Sequence, residues 1–461
     1  MSILAGFMVP HPPMIVPAVG RGSEEQVAET AAAYERVAEE IAALRPETVI
    51  ISSPHIVMYS DYFHIPPDGK AKGSFTQFRA PQVRFEEDCD TKLIRRIGAL
   101  AAEENIPAGP LGERDRSLDH GTMVPLWFIE KKYREFRLVR LGLSGLPLTD
   151  HYRLGQLAAR AVEETGRRAV WVASGDLAHK LKEYGPYGFA PEAPVYDERI
   201  MDVCGRAAFG ELFDFDETFC EKAAECGHRS FVMMAGAFDG KKVRAEALSH
   251  QDVTGVGYGI CIFRPGEPDE GRHFLEDWLG RQREELKRKR DASDAYVKLA
   301  RASLESFVKD RKRIPVPEGL PEEMTSERAG VFVSVHKHGK LRGCIGTFLP
   351  TTGSVAEEII RNAVSTATED PRFDRILPDE LPWLDISVDV LGTPERVDSE
   401  KDLDPKKYGV IVSSGRKRGL LLPDLPGVDT VRDQVDIARQ KGGIGKFEKT
   451  VLERFEVIRH H

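Results

Sequence analysis

The sequence predicts two domains, an N-terminal α/β domain and a smaller C-terminal α+β domain. Its 461 residues exceed what one ordinary hydrophobic core supports, so two domains are the expected minimum. The first part of the chain alternates apolar strand-like runs with helix-forming stretches, which is typical of a sheet covered by helices. The last part groups short strands into hairpins between amphipathic helices.

We place the two domains at residues 1–264 and 291–461, with residues 265–290 as a charged linker helix. The linker begins rich in proline and glycine (RPGEPDEGR) and continues as the strongly charged RQREELKRKRD. That composition is typical of an exposed connection with a solvated helix. We therefore interpret the basic run Lys287–Arg290 as an exposed helix face and expect no nucleic-acid contact there.

The composition excludes several classes of protein. Hydrophobic residues make up 41% and charged residues 30% of the chain, as in soluble globular proteins, and the net charge of -9 argues against a nucleic-acid binder. Because no apolar run is long enough for a bilayer and the N-terminus lacks a basic signal-peptide start, we expect a cytoplasmic protein without membrane contact. The six scattered cysteines form no CxxC pair and predict reduced thiols.

Two histidines follow buried strands near the N-terminus. The apolar runs Ile3–Val9 and Thr48–Ile51 predict strands covered on both faces, and His11 and His55 come shortly after them. Between the runs, Glu24–Leu44 has the composition and spacing of a helix. Because the carboxyl ends of strands form the ligand crevice of such sheets, both histidines are expected at one edge. Two neutral imidazoles there indicate a metal site, with ordinary hydrogen-bonded loop histidines as the alternative.

A third histidine follows a predicted loop and a predicted helix. Residues 61–81 are rich in glycine, proline and aromatics, which predicts a long loop over the sheet edge. We expect His64 of this loop at the surface, with a contribution to the site as the alternative. Helical patterning runs from about Asp88 to Glu104. The motif DHGTMVPL then places His120 directly after Asp119, and the following glycine allows a close backbone approach.

A fourth histidine repeats the arrangement of the first two. After a predicted strand at Arg137–Leu143 and a helix at His151–Glu164, the strand Ala169–Ala173 ends in the motif SGDLAH. His179 of this motif is a candidate proton-transfer group, because the pKa of histidine lies close to the working pH. The alternative is that Asp176 caps the turn and His179 forms a hydrogen bond within it.

Two further candidate ligands lie side by side in the motif ECGHR. Glu225 offers a hard oxygen ligand and Cys226 a soft sulfur ligand. Two helices before this motif and two strands after it complete the predicted domain: Asp197–Gly210, Asp216–Cys226, Val243–Ser249 and Val256–Phe263.

The second domain contains a glycine-rich strand with a cysteine. Its predicted elements are a helix Ala292–Val308, a hairpin of Val331–Val335 and Leu341–Phe348, a capped helix Ser354–Thr368, a strand Leu384–Val390 and a hairpin of Tyr408–Val412 and Leu420–Leu422. Gly343 and Gly346 predict a bulge or a close backbone approach. Arg342 beside Cys344 would lower the pKa of the thiol, but we favour the alternative of structural glycines and a buried, inert cysteine.

The motifs of the first domain, taken in order, resemble the class III extradiol ring-cleavage dioxygenases and the related Memo proteins. They are HPP at His11, SPH at His55, DHGTMVPL at 119–126 and SGDLAH at 174–179, within about residues 1–264. Together they imply an α/β dioxygenase-like fold and a catechol-type aromatic substrate.

The resemblance implies Fe(II) held by two histidines and a glutamate, which correspond here to His11, His55 and the segment Glu225–Cys226. A face of three protein ligands leaves room for a catecholate and dioxygen on one ion. His179 corresponds to the acid/base of the family and His120 to a histidine of the pocket. Asp119 and Asp176, from the same two motifs, are then expected to contact substrate.

The third ligand departs from the dioxygenase pattern. Memo proteins have a cysteine in a similar Cys-Gly segment, which corresponds to Cys226, whereas Glu225 is the carboxylate that a dioxygenase would use. We favour Glu225 and keep Cys226 as the alternative. A thiolate ligand would favour softer metals and count against ring cleavage, so Zn, Cu and Mn remain alternatives to Fe(II). The alternative function is a non-catalytic, metal-binding adaptor.

The second domain resembles the AMMECR family over about residues 291–461. The motifs are LRGCIGT at 341–347, EDPRF at 369–373 and GLLLP at 419–423, with a later Lys-Gly-Gly at 441–443. This resemblance implies a fold but little chemistry. The fusion of the two domains resembles a component of the AmmeMemoRadiSam systems, which implies a radical-SAM protein as partner, and a homo-oligomer is also open.

Overall fold

The computed structural model describes residues 3–112, 117–425 and 427–461 and divides the chain into two compact units. One unit ends at Trp278 and the next begins at Leu279. The boundary lies within a helix, and each unit has a hydrophobic core of its own. Among the described residues, every helix is too short or too polar to cross a bilayer.

The first unit alternates strands and helices along the chain. Its helices are α1 (Pro17–Gly20), α2 (Ala28–Leu44), α3 (Thr91–Glu103), α4 (His120–Ile129), α5 (Leu148–Thr165), α6 (Glu192–Gly205), α7 (Glu217–Ala223) and α8 (His228–Gly236). Its strands are β1 (Ile3–Val9), β2 (Thr48–Ser53), β3 (Phe63–His64), β4 (Lys70–Phe75), β5 (Ala80–Asp88), β6 (Ala108–Gly109), β7 (Arg137–Gly142), β8 (Ala169–Ser174), β9 (Lys241–Gln251) and β10 (Tyr258–Pro268). The predicted α/β class is confirmed for this unit.

Six of these strands form one mixed sheet in the order β7-β2-β8-β1-β10-β9. The strands β7, β2, β8 and β1 run parallel, whereas β10 and β9 complete the sheet as an antiparallel pair. Every residue of β2 and β8 is buried, as the continuous apolar runs predict for strands covered by helices on both faces. The carboxyl ends of β2, β8 and β1 therefore lie side by side at one edge.

The prediction of one long loop at residues 61–81 is wrong for residues 70–81. Residues 70–81 belong to an antiparallel hairpin of β4 and β5, with Lys70 opposite Asp88 and Ser74 opposite Arg84. The hairpin buries Ala71, Phe75, Ala80 and Phe85 against the core of the unit, which stabilises it by removing apolar surface from water. Glycine and proline dominate the local composition and hide these widely spaced apolar positions.

The second unit has two small sheets and its own helices. Its helices are α10 (Ala295–Asp310), α11 (Glu322–Ser326), α12 (Val355–Thr368) and α13 (Val431–Lys441), and α9 (Phe274–Ala292) contains the boundary between the units. Its strands are β11 (Gly330–Lys337), β12 (Lys340–Gly346), β13 (Leu384–Leu391), β14 (Glu395–Val397), β15 (Gly409–Ser414), β16 (Lys417–Leu421), β17 (Val451–Phe455) and β18 (Val457–His460). The α+β prediction is confirmed.

The two sheets have the orders β12-β11-β13-β18 and β14-β17-β15-β16. Both predicted hairpins form, β11 with β12 and β15 with β16. The first sheet packs one face against α10 and α12. The predicted cap of α12 also forms, since the Ser354 hydroxyl accepts a hydrogen bond from the Glu357 amide at 3.3 Å.

Candidate metal centre

Three loops at the carboxyl edge of the main sheet bring the predicted histidines together. His11 follows β1, His55 follows β2, and the segment Asp176–His179 follows β8, which lies between those two strands in the sheet. His11 is buried, with 2% of its surface exposed, whereas His55 is exposed. The adjacent carboxyl ends of parallel strands thus form the predicted crevice.

The side chains of His11, His55 and Cys226 converge on one point. The Nε2 atoms of His11 and His55 are 3.0 Å apart, and Cys226 Sγ lies 3.6 Å from His11 Nε2. Both distances are short enough for the atoms to share one ion, because nitrogen and sulfur ligands lie about 2.0–2.3 Å from a bound metal. One potential ligand atom from each residue lies within 4.8 Å of the others.

Ser174 at the end of β8 orients the ring of His11. The Ser174 hydroxyl lies 2.6 Å from the Gly121 carbonyl oxygen, to which it donates, and 2.9 Å from His11 Nδ1. Since its own proton goes to the carbonyl, the hydroxyl accepts from Nδ1–H, and this leaves the Nε2 lone pair directed at the cluster. The His11 amide also donates to Asp176 Oδ1 at 2.7 Å. In many metal-binding histidines, a hydrogen-bond partner on the other ring nitrogen, as Ser174 is here, fixes the tautomer.

The structure brings Cys226, and not Glu225, to the two histidines. Helix α7 ends at Ala223, and the next residue, Ala224, has the left-handed conformation. Two residues later, Cys226 Sγ accepts a hydrogen bond from the Asp176 amide at 3.2 Å. Glu225 turns the other way, and its Oε2 accepts a hydrogen bond from the His228 amide at 2.6 Å, at the start of α8. Its carboxylate therefore satisfies a free amide at a helix N-terminus.

Close packing of two glycines lets the two loops meet. A Cβ atom on Gly175 would lie 2.1 Å from the Cα atom of Gly227, so any side chain there would push apart the loops that carry Asp176 and Cys226. The backbone carbonyl of Asp176 accepts a hydrogen bond from the Gly227 amide at 3.1 Å. Backbone contact thus fixes the position of the thiol relative to the end of β8.

Burial keeps the histidines of the cluster neutral. It lowers the pKa of His11 well below its ordinary value, with further lowering from His55, His120 and His179, and it lowers the pKa of His120 and of His179 to about 4. Neutral imidazoles are the form that binds metal. Burial, together with the carboxyl groups of Asp176 and Glu225, raises the pKa of the Cys226 thiol. A metal ion bound there has to displace the thiol proton.

His179 and His120 border the cluster. A potential ligand atom of His179 lies within 4.8 Å of those of Asp176 and Cys226, and its Nε2 is buried without a hydrogen-bond partner in the part of the chain that the structure describes. Buried polar atoms without partners are rare, and their occurrence indicates a catalytic role or a bound group. The His120 ring centroid lies 3.9 Å from that of His55. The predicted proton-transfer and pocket histidines thus lie next to the candidate ligands.

The two predicted substrate-binding aspartates have structural partners. Asp119 is the N-cap of α4 and accepts from the Thr122 amide at 3.0 Å, while Oδ1 also accepts from the Ser53 hydroxyl at 2.6 Å. The Asp176 carboxyl accepts from the His11 amide, and burial raises its pKa to about 7. Both carboxyl groups therefore position the histidine loops, and their predicted contact with substrate stays a prediction.

A cavity of about 310 Å³ beside His55 and His120 is also lined by His64 and by Arg140, which the sequence analysis did not single out. His64, expected at the surface, has 2% of its surface exposed and lies 3.0 Å from the Leu111 carbonyl oxygen through Nδ1, so that prediction is wrong. Arg140 of β7 has 4% exposed, donates to the Ser117 carbonyl at 2.9 Å and has no partner for Nε among the described residues. The sequence feature that could have identified Arg140 is its charge, because a cation inside the buried run RLVRLG needs a partner or a function.

The glycine-rich motif of the second unit has a structural explanation. A Cβ atom on Gly343 would lie 2.9 Å from the Thr366 carbonyl oxygen, and one on Gly346 would lie 2.3 Å from the Phe332 ring, so the predicted close approach is confirmed. The Arg342 side chain pairs with Glu380 at 2.9 Å. Burial raises the pKa of Cys344, so the hypothesis that Arg342 lowers it is wrong.

Comparison with known proteins finds two family matches, one within each compact unit. Residues 5–261 match the model of the family described as the catalytic LigB subunit of aromatic ring-opening dioxygenase, and residues 297–460 match the AMMECR1 family. A protein of Clostridium acetobutylicum is 42% identical over 468 residues, covering 100% of this chain and 99% of its own length.

Two partial matches cover shorter stretches. A protein of Thermotoga maritima is 51% identical over 167 residues, which are 36% of this chain and 96% of that protein. The crystal structure of an uncharacterised protein from Pyrococcus horikoshii, PH0010, is 29% identical with a TM-score of 0.34 and covers 36% of this chain and 88% of that chain. On the match over 5–261, which spans more than half of its length, the chain belongs to the family of the catalytic LigB subunit of aromatic ring-opening dioxygenases, and it carries an AMMECR1 domain after it.

Proposed function

We propose that the first unit is a mononuclear metal protein of the extradiol-dioxygenase type that oxidises a small catechol-type aromatic. The observation that supports it most is the convergence of His11 Nε2, His55 Nε2 and Cys226 Sγ at 3.0 and 3.6 Å. These three ligand atoms lie close enough together to bind one transition-metal ion. The buried, unpartnered Nε2 of His179 beside them also fits a bound metal or substrate.

The donor set favours a metal of intermediate or soft character. Two imidazoles and one thiolate suit iron, zinc and copper, whereas manganese prefers oxygen ligands. We propose Fe(II), because an iron ion supplies the redox and Lewis-acid chemistry for activating a catechol and dioxygen together. His11, His55 and Cys226 would hold it, and Glu225 would stay at the start of α8.

The residues around the proposed ligands divide the remaining work. His179, whose pKa is lowered to about 4, is neutral at pH 7 and is the proposed acceptor of a catechol hydroxyl proton through its free Nε2. His120 lies against His55 and orients the substrate ring. Arg140 adds a buried positive charge to the wall of the 310 Å³ cavity and would bind an anionic group of the substrate.

A second candidate function is a metal-binding adaptor without ring cleavage. It is favoured by Cys226, because a thiolate at the third position departs from the carboxylate of the 2-His-1-carboxylate oxygenases. Its burial and the nearby carboxyl groups of Asp176 and Glu225 also make the thiol a ligand that only a tightly bound metal deprotonates.

Anaerobic purification followed by metal analysis and turnover separates the two candidates. We expect one iron per chain and a yellow ring-cleavage product when catechols are added under air. The variant His55→Ala should lose both, whereas His338→Asn, at an exposed turn of the second unit, should keep both. Stoichiometric metal without product from any catechol would contradict ring cleavage and favour the adaptor. Unchanged metal in His55→Ala would contradict the site itself.

A further inference from the structure

A second cavity, of about 850 Å³, lies within the second unit and contains the Cys344 thiol. It is formed between the sheet β12-β11-β13-β18 on one side and strand β16 with the segment after it on the other. Its volume falls in the range of small-molecule sites in proteins. Nothing in the proposed metal chemistry of the first unit uses this cavity.

One face of the first sheet forms the floor of the cavity. Alternate residues of β11 have opposite surroundings: Val331, Val333 and Val335 are fully buried in the core with α10 and α12, whereas Phe332, Ser334 and His336 line the cavity. This alternation is the two-residue period of a strand, with one face on the helices and the other left open. The open face carries a polar row where a second apolar layer would usually pack.

The centre of the floor is a row of a thiol and two hydroxyls. Ser334 is paired with Cys344 on one neighbouring strand and with Ser387 on the other, so the three small polar side chains lie side by side. The Ser334 hydroxyl donates to Cys344 Sγ at 3.2 Å. Among the described residues, the Ser387 hydroxyl has no hydrogen-bond partner. It can therefore donate a hydrogen bond to a ligand or accept one from it.

The opposite wall is mostly apolar, apart from Arg418 and Asp424. It is formed by Leu420, Leu422 and Leu425, with Phe348 at the rim. Phe348 has 40% of its surface exposed, although it belongs to the large hydrophobic side chains that usually lie inside. The cavity thus has one polar and one apolar side, which suits a ligand with a polar head and an apolar body.

Four cations line the cavity, and three of them are already paired. Arg372 pairs with Asp370 at 2.7 Å, Arg418 with Glu453 at 2.9 Å and Arg459 with Asp389 at 2.7 Å. The other acidic residue of the lining, Asp424, lies 3.8 Å from Lys406. The carboxylate partner of each guanidinium offsets its positive charge, so such a pair attracts a further anion less strongly than an unpaired cation does.

Lys441, at the end of α13, is the fourth cation that lines the cavity. Lys441 forms no ion pair with a carboxylate of residues 3–112, 117–425 or 427–461. It interacts electrostatically with Cys344 and Arg372. Lys441 lines the same cavity as Cys344 and Ser334. One unpaired cation neutralises one negative charge, so we expect the ligand to be a monoanion rather than a dianion.

We propose that this cavity binds a small organic monocarboxylate with an apolar or aromatic body. The carboxylate pairs with Lys441 near Cys344 and Ser334, and the body packs against Leu420 and Leu422. The charge of Lys441 and the apolar wall both contribute, so a neutral compound of the same shape binds more weakly. The proposal is independent of the metal and of the reaction proposed for the first unit.

Protection of Cys344 from alkylation tests the proposal on the full-length chain. The probes are 2-naphthoate and its neutral counterpart 2-naphthamide, and the readout is the rate of iodoacetamide labelling of the Cys344 peptide by mass spectrometry. We expect naphthoate to protect Cys344 at concentrations about tenfold lower than naphthamide, which corresponds to one ion pair of about 1.4 kcal/mol. Calorimetric titration with both probes should show the same preference.

Lys441→Gln is the decisive variant, and Lys446→Gln is its control, because Lys446 is exposed and does not line the cavity. The preference for naphthoate should vanish in Lys441→Gln and persist in Lys446→Gln. An unchanged unfolding transition of the second unit in calorimetry shows that each variant is folded, because both substitutions lie in that unit. Equal binding of the two probes, no binding of either, or an unchanged preference in folded Lys441→Gln would overturn the proposal.

Discussion

The hydroxyl of Ser174 determines which nitrogen of His11 faces the proposed metal. Its proton goes to the Gly121 carbonyl at 2.6 Å, so it accepts from His11 Nδ1 and leaves Nε2 free. Removing the hydroxyl in Ser174→Ala leaves the tautomer and the ring orientation unfixed. We expect metal affinity to fall by about 10- to 100-fold, the usual loss for such a partner, measured by competition with a chelator. The matched Ser306→Ala, in the second unit, should bind as the wild type does, and full affinity in Ser174→Ala would contradict this role.

Glu358 of α12 makes the stability of the second unit depend on pH. The side chain is fully buried, and burial acts to raise its pKa, but hydrogen bonds from Thr347, Thr352 and Thr351 outweigh this effect and lower the pKa to about 2. A carboxyl group with a pKa below its unfolded value stabilises the fold above that value. This contribution is lost as the pH falls from about 4.5 to about 2.

The variant Glu358→Gln tests this linkage. At pH 7 it should lower the free energy of unfolding of the second unit by at most about 3 kcal/mol, and the difference from wild type should shrink as the pH approaches 2. Scanning calorimetry from pH 7 to pH 3 measures it. Glu357→Gln, at an exposed position of the same helix, should follow the wild type. A difference that does not change with pH would contradict the low pKa.

At the scale of single residues, the sequence predicted the site residues that directly follow strands. It missed residues that reach the site from other positions in the fold. His11, His55 and His179 follow apolar runs that form strands, so their meeting at one edge could be predicted, whereas only the resemblance of its motif placed His120 in the pocket. The choice between Glu225 and Cys226 could not, because it depends on the left-handed residue Ala224, which turns the chain by the end of α7. Local composition carries no information on that turn.

Among the elements, α5 and α8 cross at a pair of glycines. A Cβ atom on Gly155 would lie 1.9 Å from the Met233 carbonyl oxygen, and one on Gly236 would lie 2.0 Å from the Tyr152 carbonyl oxygen. The backbones of the two helices are therefore in direct contact. Because α8 begins at His228, two residues after Cys226, this crossing also fixes the thiol loop.

Gly155→Ala is expected to destabilise the first unit by about 1–3 kcal/mol, the usual cost of overpacking a core. Gly98→Ala is the matched control in α3, because a Cβ atom there has no neighbour within 4 Å. It should stabilise the unit by about 0.5–1 kcal/mol through helix propensity. Denaturant unfolding followed for the first unit measures both changes. Equal effects of the two substitutions would contradict the close crossing.

Most elements could be predicted from their periodicity, whereas the hairpin β4–β5 could not. Strand β1 was predicted with both its ends, and α12 from its capping box, because buried runs and caps are local signals. The hairpin has only four well-buried side chains in nineteen residues, from Lys70 to Asp88, and its stability comes from packing on a core that other segments supply.

For the whole molecule, the two compact units predict two unfolding transitions with different responses to metal. Only the first unit contains the proposed ligands, so metal should stabilise its transition alone, by about 2.7 kcal/mol at a metal concentration one hundred times the Kd. In calorimetry this is a rise of several degrees in one Tm. The chelated protein is the reference. A single transition, or a rise in both, would contradict the assignment of the metal to one unit.

The measurement that tests the metal centre most directly is the absorption spectrum of the protein loaded with Co(II) in place of its own metal. A thiolate ligand gives an intense sulfur-to-cobalt charge-transfer band in the near ultraviolet, and a carboxylate does not. We predict this band in the wild type and in Glu225→Gln, and its loss in Cys226→Ser at equal cobalt content. A wild-type protein that binds one cobalt without the band, or a band that survives in Cys226→Ser, would contradict a centre built from His11, His55 and Cys226.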